Sequence, residues 1–519
     1  MKKKAIILPV LIIFLFFKPC YSEEEKVISL TLEECVVKAL KDNLSVAVEV
    51  INPDLAEASV SKAKETFMPR LDFAFGNEWL ENPSYWWLER ADTVINRNLN
   101  YSVSFVQEVP TGGNFSLTLY NSRSETTAGL QVINPRYGSS LRFGFSQPLL
   151  KNFGLKVSRR EILVARNNLD ISISQFEKTL LETIYRVEEA YWNLAYSIEY
   201  FKVMQQSLKL AQDLLAKNRK EVEVGKLAEI EILNAEATVA SREADILQAE
   251  IMIRRSEDIL ADLLNLKELG ELERVQIVPL DRPDFIQKEI SLEEALTIAY
   301  TQSPDLKTQR KTIETNELNM KVAKNQLLPS LDLNFSYWSP GLSGTEIIFD
   351  PVNPFAPPIG EVTNPPSDAI KEAFSFEYDN WNVGLTLSIP LSSFTSKADY
   401  VRARMETEKS QLELKNVERQ IFLEVRDAVR EMDTSYKRVQ AYRVSRELAQ
   451  KRLEAEVKKL DVGLTTNYFV LQYQDELARE ESLLLNAMVD YLVAVARLER
   501  DLGTSLEKRN IKTLQFLED

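Results

Sequence analysis

The residue types that carry out most enzyme chemistry are scarce in this sequence. Its 519 residues include no histidine, so the commonest general base and the commonest nitrogen ligand for metals are both absent. The two cysteines are Cys20 and Cys35, and no set of nucleophile, base and metal ligands converges in one motif. We therefore expect no catalytic residue, no metal site and no cofactor, and the sequence argues against an exported enzyme.

The charge balance disfavours a nucleic-acid partner. The chain has 63 basic and 78 acidic residues, a formal net charge of -15. A protein that follows nucleic-acid phosphates needs the opposite sign.

The N-terminus has the pattern of a secretory signal peptide. Lysines at positions 2–4 precede the apolar residues 5–17, and an acidic run follows at 23–25, so cleavage is expected after Ser22. The apolar stretch is too short to span a bilayer as a helix, and no other stretch is long and apolar enough.

The predicted cleavage site separates the two cysteines. Cys20 follows Phe17, Lys18 and Pro19, which lack the small residues of a lipidation site, so lipidation there is the less favoured alternative. Cys35 alone remains after cleavage, and we expect no intramolecular disulfide.

The sequence is internally duplicated. The block from Leu30 to Glu34 returns as Ile290 to Glu294, and at the same offset the block from Met68 to Asp72 returns as Leu328 to Asp332. Downstream, Val224-Gly225 and Val462-Gly463 form a third matched pair. Missing such repeats would misread the whole fold.

Long helices are predicted in each half by apolar residues spaced about 3.5 positions apart, the period of a coiled-coil seam. The first helix is expected from about Ser158 to Gly225, roughly 90 Å long at 1.5 Å per residue, with a return from Ile230 to Leu264. The second half repeats this hairpin, and each turns at a Val-Gly pair, where glycine supplies backbone freedom.

Six short segments alternate apolar and polar residues and so predict strands with one face of each kind. They are residues 71–75, 101–105, 115–119, 141–145, 331–337 and 381–387. An outer-membrane barrel uses both faces, with lipid outside and water inside. Because single-chain barrels start at about eight strands and lipid tolerates no open edge, several copies must build one wall.

Together these landmarks resemble the TolC-like outer-membrane efflux protein family across residues 28–503. The most specific features are the repeated Ala-Lys-x-x-x-x-Pro-x-Leu-Asp pattern ending at Asp72 and Asp332, and the Pro-Leu pairs at Pro148 and Pro390. The resemblance implies an α+β membrane protein, a trimeric outer-membrane β-barrel continuous with a long periplasmic helical coiled-coil barrel. It also implies an exit duct for tripartite efflux or type I secretion, with a periplasmic adaptor, an inner-membrane pump and outer-membrane lipid as partners. The alternative is an exported soluble coiled-coil scaffold.

The resemblance also gives the domain boundaries, which divide the chain as follows. They are 1–22 signal peptide, 23–70 first helices, 71–148 first strands with extracellular loops, 149–264 first helical hairpin, 265–290 crossover, 291–330 second helices, 331–390 second strands with a long loop, 391–503 second hairpin and 504–519 tail. Strand boundaries are expected at Pro69, Pro148, Pro329 and Pro390. The Pro-rich loop from Ser339 to Asn380 shows no secondary-structure signal.

The first half departs from the commonest family layout. It has four predicted strands where the family typically shows two, so three copies would form 18 wall strands rather than 12. The alternative places residues 100–121 as a hairpin folded over or inside a 12-stranded barrel.

The closed end of the tunnel is implied by the resemblance to lie just after the Val-Gly turns. Gate candidates are Ile230, Glu231, Leu464, Thr465, Phe469 and Gln472, and the turn residues Val224, Gly225, Val462 and Gly463 are candidates for adaptor contact. The family's ion-pair lock is missing at Thr465, Phe469 and Gln472, so closure is expected to be apolar at Phe469. A ring of Glu231 carboxylates would bind cations, and its alternative role is a solvated carboxylate favoured by the helix dipole.

The aromatic residues Trp79, Tyr85, Trp86, Trp87 and Trp381 are expected to form girdles at the bilayer interface. A carbohydrate-binding platform is the weaker alternative.

Overall fold

A computed structural model describes residues 26–266, 275–283 and 286–511, which form two compact units. The predicted signal peptide with Cys20 lies outside the described residues, as do parts of the crossover and of the tail. Unit 1 comprises residues up to Ala47, Leu180–Ala295 and Val425–Ser505, and unit 2 comprises the remainder.

Unit 1 contains two helical hairpins. The first consists of α5 (Arg160–Glu223) and α6 (Ile230–Leu263), and the second of α10 (Phe394–Asp461) and α11 (Asn467–Leu502). The helices α5 and α10 begin in unit 2 and continue into unit 1. Most predicted seam residues of α5 are buried, among them Phe176, Leu180, Ile184, Val187, Tyr191 and Leu194. The 3.5-residue period therefore identified the packed face correctly.

A two-stranded parallel sheet in unit 1 joins the start of the chain to the crossover. Strand β1 (Lys26–Leu30) pairs with β6 (Val275–Pro279). The Tyr191 hydroxyl donates to Asp281 Oδ2 at 2.8 Å, and the same carboxylate oxygen accepts from Leu32 N at 2.7 Å. Burial raises the pKa of Tyr191 above its ordinary value, so the phenol stays protonated as a donor.

The internal duplication is visible in two equivalent helix caps in unit 1. Thr31 caps α1 (Leu32–Asp42) and forms a capping box with Glu34. Ser291 and Glu294 make the same reciprocal bonds at α7 (Leu292–Gln302). Both capping boxes lie in the first pair of repeated sequence blocks. The repeated residues of this pair therefore form the N-terminal caps of two equivalent helices.

The remaining helices connect these elements. They are α2 (Leu44–Glu49), α3 (Ile51–Glu65), α4 (Leu155–Ser158), α8 (Pro304–Asn325), α9 (Pro366–Ser375) and α12 (Ser505–Lys508). In the described residues, no helix is both long and apolar enough to cross a membrane.

Unit 2 contains one antiparallel sheet. Its strands are β2 (Arg70–Pro83), β3 (Thr93–Glu108), β4 (Asn114–Thr126), β5 (Ile133–Pro148), β7 (Ser330–Ile348), β8 (Gly360–Thr363) and β9 (Asn380–Ser388). They follow the order β2-β3-β4-β5-β7, and β9 and β8 pair with the two ends of β7. Strands β2 and β7 begin directly after Pro69 and Pro329, β5 ends at Pro148, and β9 ends two residues before Pro390.

The pairing register places apolar side chains in rows that cross the sheet. One row runs through Leu71, Phe105, Leu117, Phe143, Tyr337 and Trp381. On the strands at either end of the sheet these side chains are largely exposed, Leu71 being 60% and Trp381 68% accessible. The face is therefore continuous and apolar across all six long strands.

The opposite face is polar and hydrogen-bonded between strands. Ser104 and Thr118 hydroxyls lie 3.0 Å apart, and Tyr120 donates to Asn100 at 2.7 Å. Ser146 donates to Asn334 at 2.8 Å across the join between the two halves. Such bonds satisfy polar groups along a wall that faces water.

The sheet of unit 2 includes segments for which the sequence left other arrangements open. Residues 100–121 lie in β3 and β4, which are continuous with β2 and β5, so this hairpin is part of the sheet rather than folded over it. The expectation that residues 339–380 lack regular structure is wrong, because they include the upper part of β7, β8 and α9. The predicted strand lengths were also too short.

Candidate functional site at the hairpin tips

The first hairpin turns at Val224 and Gly225. Gly225 has φ of 74°, and the Lys226 N–H donates to the Glu221 carbonyl at 2.8 Å to close the end of α5. A Cβ at Gly225 would meet nothing within 4 Å. The backbone conformation, and not a lack of space, is what favours glycine here.

The second hairpin repeats this turn at Val462 and Gly463. Gly463 has φ of 75°, and the Leu464 N–H donates to the Lys459 carbonyl at 2.9 Å. Val224, Val462 and Leu464 are exposed. Both tips therefore present apolar side chains to their surroundings.

Thr465 faces its own hairpin. Its hydroxyl donates to Glu456 Oε1 at 2.6 Å, and the Lys459 ammonium lies 3.0 Å from Oε2 of the same carboxylate. The hydrogen bond from Thr465, followed by that from Lys459, lowers the pKa of Glu456. The side chain of Thr465 thus fastens the turn to α10.

Glu231 and Ile230 occupy the first turn of α6. Ile230 is exposed and Glu231 is half-buried. The Glu231 backbone carbonyl accepts from Asn218 Nδ2 at 3.2 Å, which ties the start of α6 to the end of α5. The position of the carboxylate near a helix N-terminus is electrostatically favourable whatever its further role.

Phe469 and Gln472 lie one helical turn apart near the start of α11, and both are exposed. The Phe469 ring meets the Tyr468 ring edge-on, with centroids 5.5 Å apart. Because side chains three positions apart share a helix face, Phe469 and Gln472 form one surface.

Among the described residues, ion pairs connect the hairpins to each other. Lys217 of α5 lies 3.1 Å from Asp461 of α10, and Arg242 of α6 contacts Asp475 of α11. Arg242 also pairs with Asp245 at 3.0 Å and is largely buried. Inter-hairpin ion pairs are thus present, at positions to which the resemblance did not point.

Sequence reasoning missed these charged residues and two buried amides, Asn218 and Asn467. Buried positions in the last turns of α5 follow the order Ala211, Leu214, Asn218, so the asparagine continues an apolar seam. Its polar character at such a position was the available signal. The predicted aromatic girdle residues are divided. Trp79 and Trp381 lie in strands, Tyr85 and Trp86 lie in the loop after β2, and Trp87 begins a short 3-10 helix in that connection.

A family model described as outer membrane efflux protein matches residues 35–266 and 295–504. The chain belongs to this family. The channel is 24% identical over 345 residues to outer membrane protein TolC of Vibrio cholerae, covering 64% of this chain and 70% of the relative. It is 22% identical over 334 residues to the alkaline protease secretion protein AprF of Pseudomonas aeruginosa, covering 63% of each. It thus spans just under two thirds of AprF.

Solved structures share the fold. The Campylobacter jejuni CmeC outer membrane channel superposes with a TM-score of 0.62 at 16% identity, covering 94% of this chain and 88% of that one. The outer membrane protein VceC of Vibrio cholerae gives 0.60 at 14% identity, covering 91% and 96%. Family membership confirms an outer-membrane exit duct of the efflux or type I secretion kind, extending into the periplasm, and not an enzyme.

Proposed function

We propose that three copies of this chain assemble into one duct, which receives cargo from an inner-membrane pump through a periplasmic adaptor. The observation that carries the proposal is the sheet of unit 2, which has a continuous apolar face and two free edges. Within the described chain, β2 pairs only with β3, and β9 pairs only with β7. Lipid offers no hydrogen-bond partner for such edges, so β2 of one copy must pair with β9 of the next.

The number of copies is taken from the family, and the number of strands per copy is counted in this chain. Six long strands per copy give a wall of 18 strands. The polar face includes Ser104, Thr118 and Asn334, with the charged residues Asp72 and Arg142 in the same row as Ser104 and Thr118, and would line the lumen. Such a lining supports passage of varied cargo, with selectivity set at the pump.

The assembly is tested by native mass spectrometry and cryo-electron microscopy of the detergent-purified protein. We expect a trimer whose cross-section at the level of Phe143 shows 18 wall strands. A monomer, or a wall of 12 strands, would overturn the assembly proposed here.

The partner assignment is tested with photo-crosslinking side chains at Val224 and Val462 in cells. We expect capture of a periplasmic adaptor from both tips. The matched control is Val444, which is also exposed but lies well inside α10. Equal capture from Val444 and the tips, or none from the tips, would contradict tip docking.

A further inference from the structure

The chain between β8 and β9 does not continue as a strand beside β7. It forms α9, which runs back along β7: the Ser343 hydroxyl donates to the Pro365 carbonyl at 3.0 Å, and the Phe376 ring stacks on Tyr337 with centroids 6.1 Å apart. Leu342 lies in the part of β7 between the segments that pair with β9 and with β8. Its N–H donates to Glu372 Oε2 at 2.7 Å. The helix thus packs against the part of β7 that pairs with neither β8 nor β9.

The sheet is shaped to receive this helix. Ala369 and Ala373 are buried, and a Cβ added to Gly341 would collide with the backbone of both. Ser339 and Ser343 of β7 are also buried on this face, as is Ser139 of β5, and α9 contacts both strands. Small residues on both partners let the helix backbone approach the strand closely.

The helix lies on the apolar face of the sheet. Ser339, Gly341 and Ser343 alternate in step with Phe335 and Tyr337, so their side chains point to the same side. In the barrel that side faces lipid, because the opposite face has the hydrogen-bonded polar residues. The helix therefore lies outside the wall.

The helix begins where the apolar row of the strand ends. From Leu331 to Tyr337 the apolar residues of β7 extend about 20 Å at ~3.3 Å per residue, or about 15 Å in height at a tilt of ~40°. The apolar band of an outer-membrane barrel is about 25 Å tall. Directly above Tyr337 the next three positions on this face are Ser339, Gly341 and Ser343, and α9 covers them.

The exposed side chains of α9 change from charged to aromatic along the helix. Lys371 is exposed near the middle, and Phe374 is 51% accessible near the C-terminal end, closer to the level of Tyr337. Phe376 follows and is also exposed. Aromatic rings below and a lysine above form the order of groups found at a membrane interface, where lysine extends its ammonium toward the headgroups.

We infer that α9 is an interfacial helix that binds outer-leaflet lipid, with Phe374 among the upper acyl chains and Lys371 at the headgroup phosphates. It completes the lipid-facing surface where β5 and β7 become polar. The inference depends on the barrel being embedded with its apolar face toward lipid, and the test below separates the two.

The test is the accessibility of nitroxide labels in the intact protein, reconstituted in vesicles of phosphatidylethanolamine and phosphatidylglycerol. Labels are attached at Ser367→Cys, Lys371→Cys and Phe374→Cys, and their collision rates with oxygen and with a water-soluble nickel chelate are compared. Leu385→Cys and Thr386→Cys on β9 are matched controls for the two faces of the wall. Cys35 does not compete, because it is buried and burial raises the pKa of its thiol to about 12.

We expect the ratio of oxygen to nickel collisions to rise from Ser367 to Lys371 to Phe374 and to approach that of Leu385 at Phe374. A ratio at Phe374 equal to that of Thr386 would overturn the inference, since the helix would then lie in water. Low collision rates with both reagents would also overturn it, because a neighbouring protein surface would then cover the helix. If Leu385 and Thr386 behave alike, the embedded barrel itself is wrong.

A second variant tests the contact between α9 and the strand. Gly341→Ala should displace the helix and at least double the mobile fraction of a label at Phe374→Cys. Gly384→Ala in β9 is its control, since a Cβ there meets only Asn382 at an ordinary 3.6 Å. An unchanged label in Gly341→Ala would contradict the placement of α9 on the wall.

Discussion

The Thr465 hydroxyl donates a 2.6 Å hydrogen bond to Oε1 of Glu456, so the turn between α10 and α11 is fastened to the helix that precedes it. Glu456 is buried at the position that follows Ala449 and Leu453 in the spacing of the α10 seam. A carboxylate in that place is stabilised by the hydroxyl and by Lys459. Thr465 therefore contributes to the shape of the tip, whatever it contacts in a neighbouring copy.

Acid should loosen the second tip. The folded-state pKa of Glu456 lies below its ordinary value of 4.5, so its stabilising contribution is present above that pH and is lost as the pH falls through the folded-state pKa. A fluorescent label at Val462→Cys should show lower anisotropy at acid pH than at pH 6.5. Glu456→Gln should abolish this dependence, and Glu454→Gln on the same helix should retain it. A pH response that persists in Glu456→Gln would assign it to another group.

Valine should be tolerated at neither Gly225 nor Gly463. Left-handed backbone costs an ordinary residue roughly 1–2 kcal/mol, and more for a β-branched one. Asparagine should lower the melting temperature of the assembled protein less than valine at both positions. Gly76→Ala is the control, because its added Cβ also meets nothing within 4 Å but its φ is not positive. Equal melting temperatures for the valine variants and the parent would refute the backbone argument.

The two gate candidates should affect different channel properties. Phe469→Ala should raise the resting conductance, because it would remove bulk from the proposed apolar constriction. Glu231→Ala should change cation selectivity more than conductance, since it removes charge without widening the opening. Single-channel recording in planar bilayers measures both, with Val444→Ala, at an exposed position well inside α10, as the comparison. Wide opening by Glu231→Ala alone would show that the closure is electrostatic.

The ion pair between Arg242 and Asp475 should stabilise the hairpins without closing the pore. Asp475→Asn is expected to cost about 0.5–1 kcal/mol of stability, as for a pair that is only partly exposed. Thermal unfolding should reveal that loss, and the resting conductance should stay within twofold of the parent. Asp475→Glu, which keeps the negative charge opposite Arg242, should retain most of that stability. A large conductance increase in Asp475→Asn would make this pair part of the lock.

Local periodicity explains what could be predicted from sequence. The alternation around Phe73 and Leu385 and the 3.5-residue spacing from Phe176 to Leu194 are signals contained within one element. They are sufficient to identify strands, long helices and their apolar faces. The Val-Gly turns were identifiable for the same reason, since glycine responds to local backbone conformation.

Features that depend on two distant segments were not predictable. The ten-residue helix α9 lies among prolines, which hide its helical pattern. Its position depends on the small size of Gly341 and Ser339 in β7, and nothing in the sequence around those residues indicates that a helix packs on them. The contact between Arg242 and Asp475 depends on how far one hairpin is shifted along the other. Glu456 is an exception, because it interrupts a row of apolar positions and could have been recognised from that row.

The pairing of β1 with β6 sets an order on folding. The two strands are parallel neighbours although roughly 250 residues separate them, which makes their contact one of high loop-closure cost. During export the amino end emerges first. Strand β1 therefore cannot pair until β6, in the crossover, has also emerged. Until then the edge of β1 is open, and any second chain with an extended segment is a competitor for it. Rapid delivery of the whole polypeptide, or a chaperone that covers the first strand, would therefore shorten the exposure of this edge.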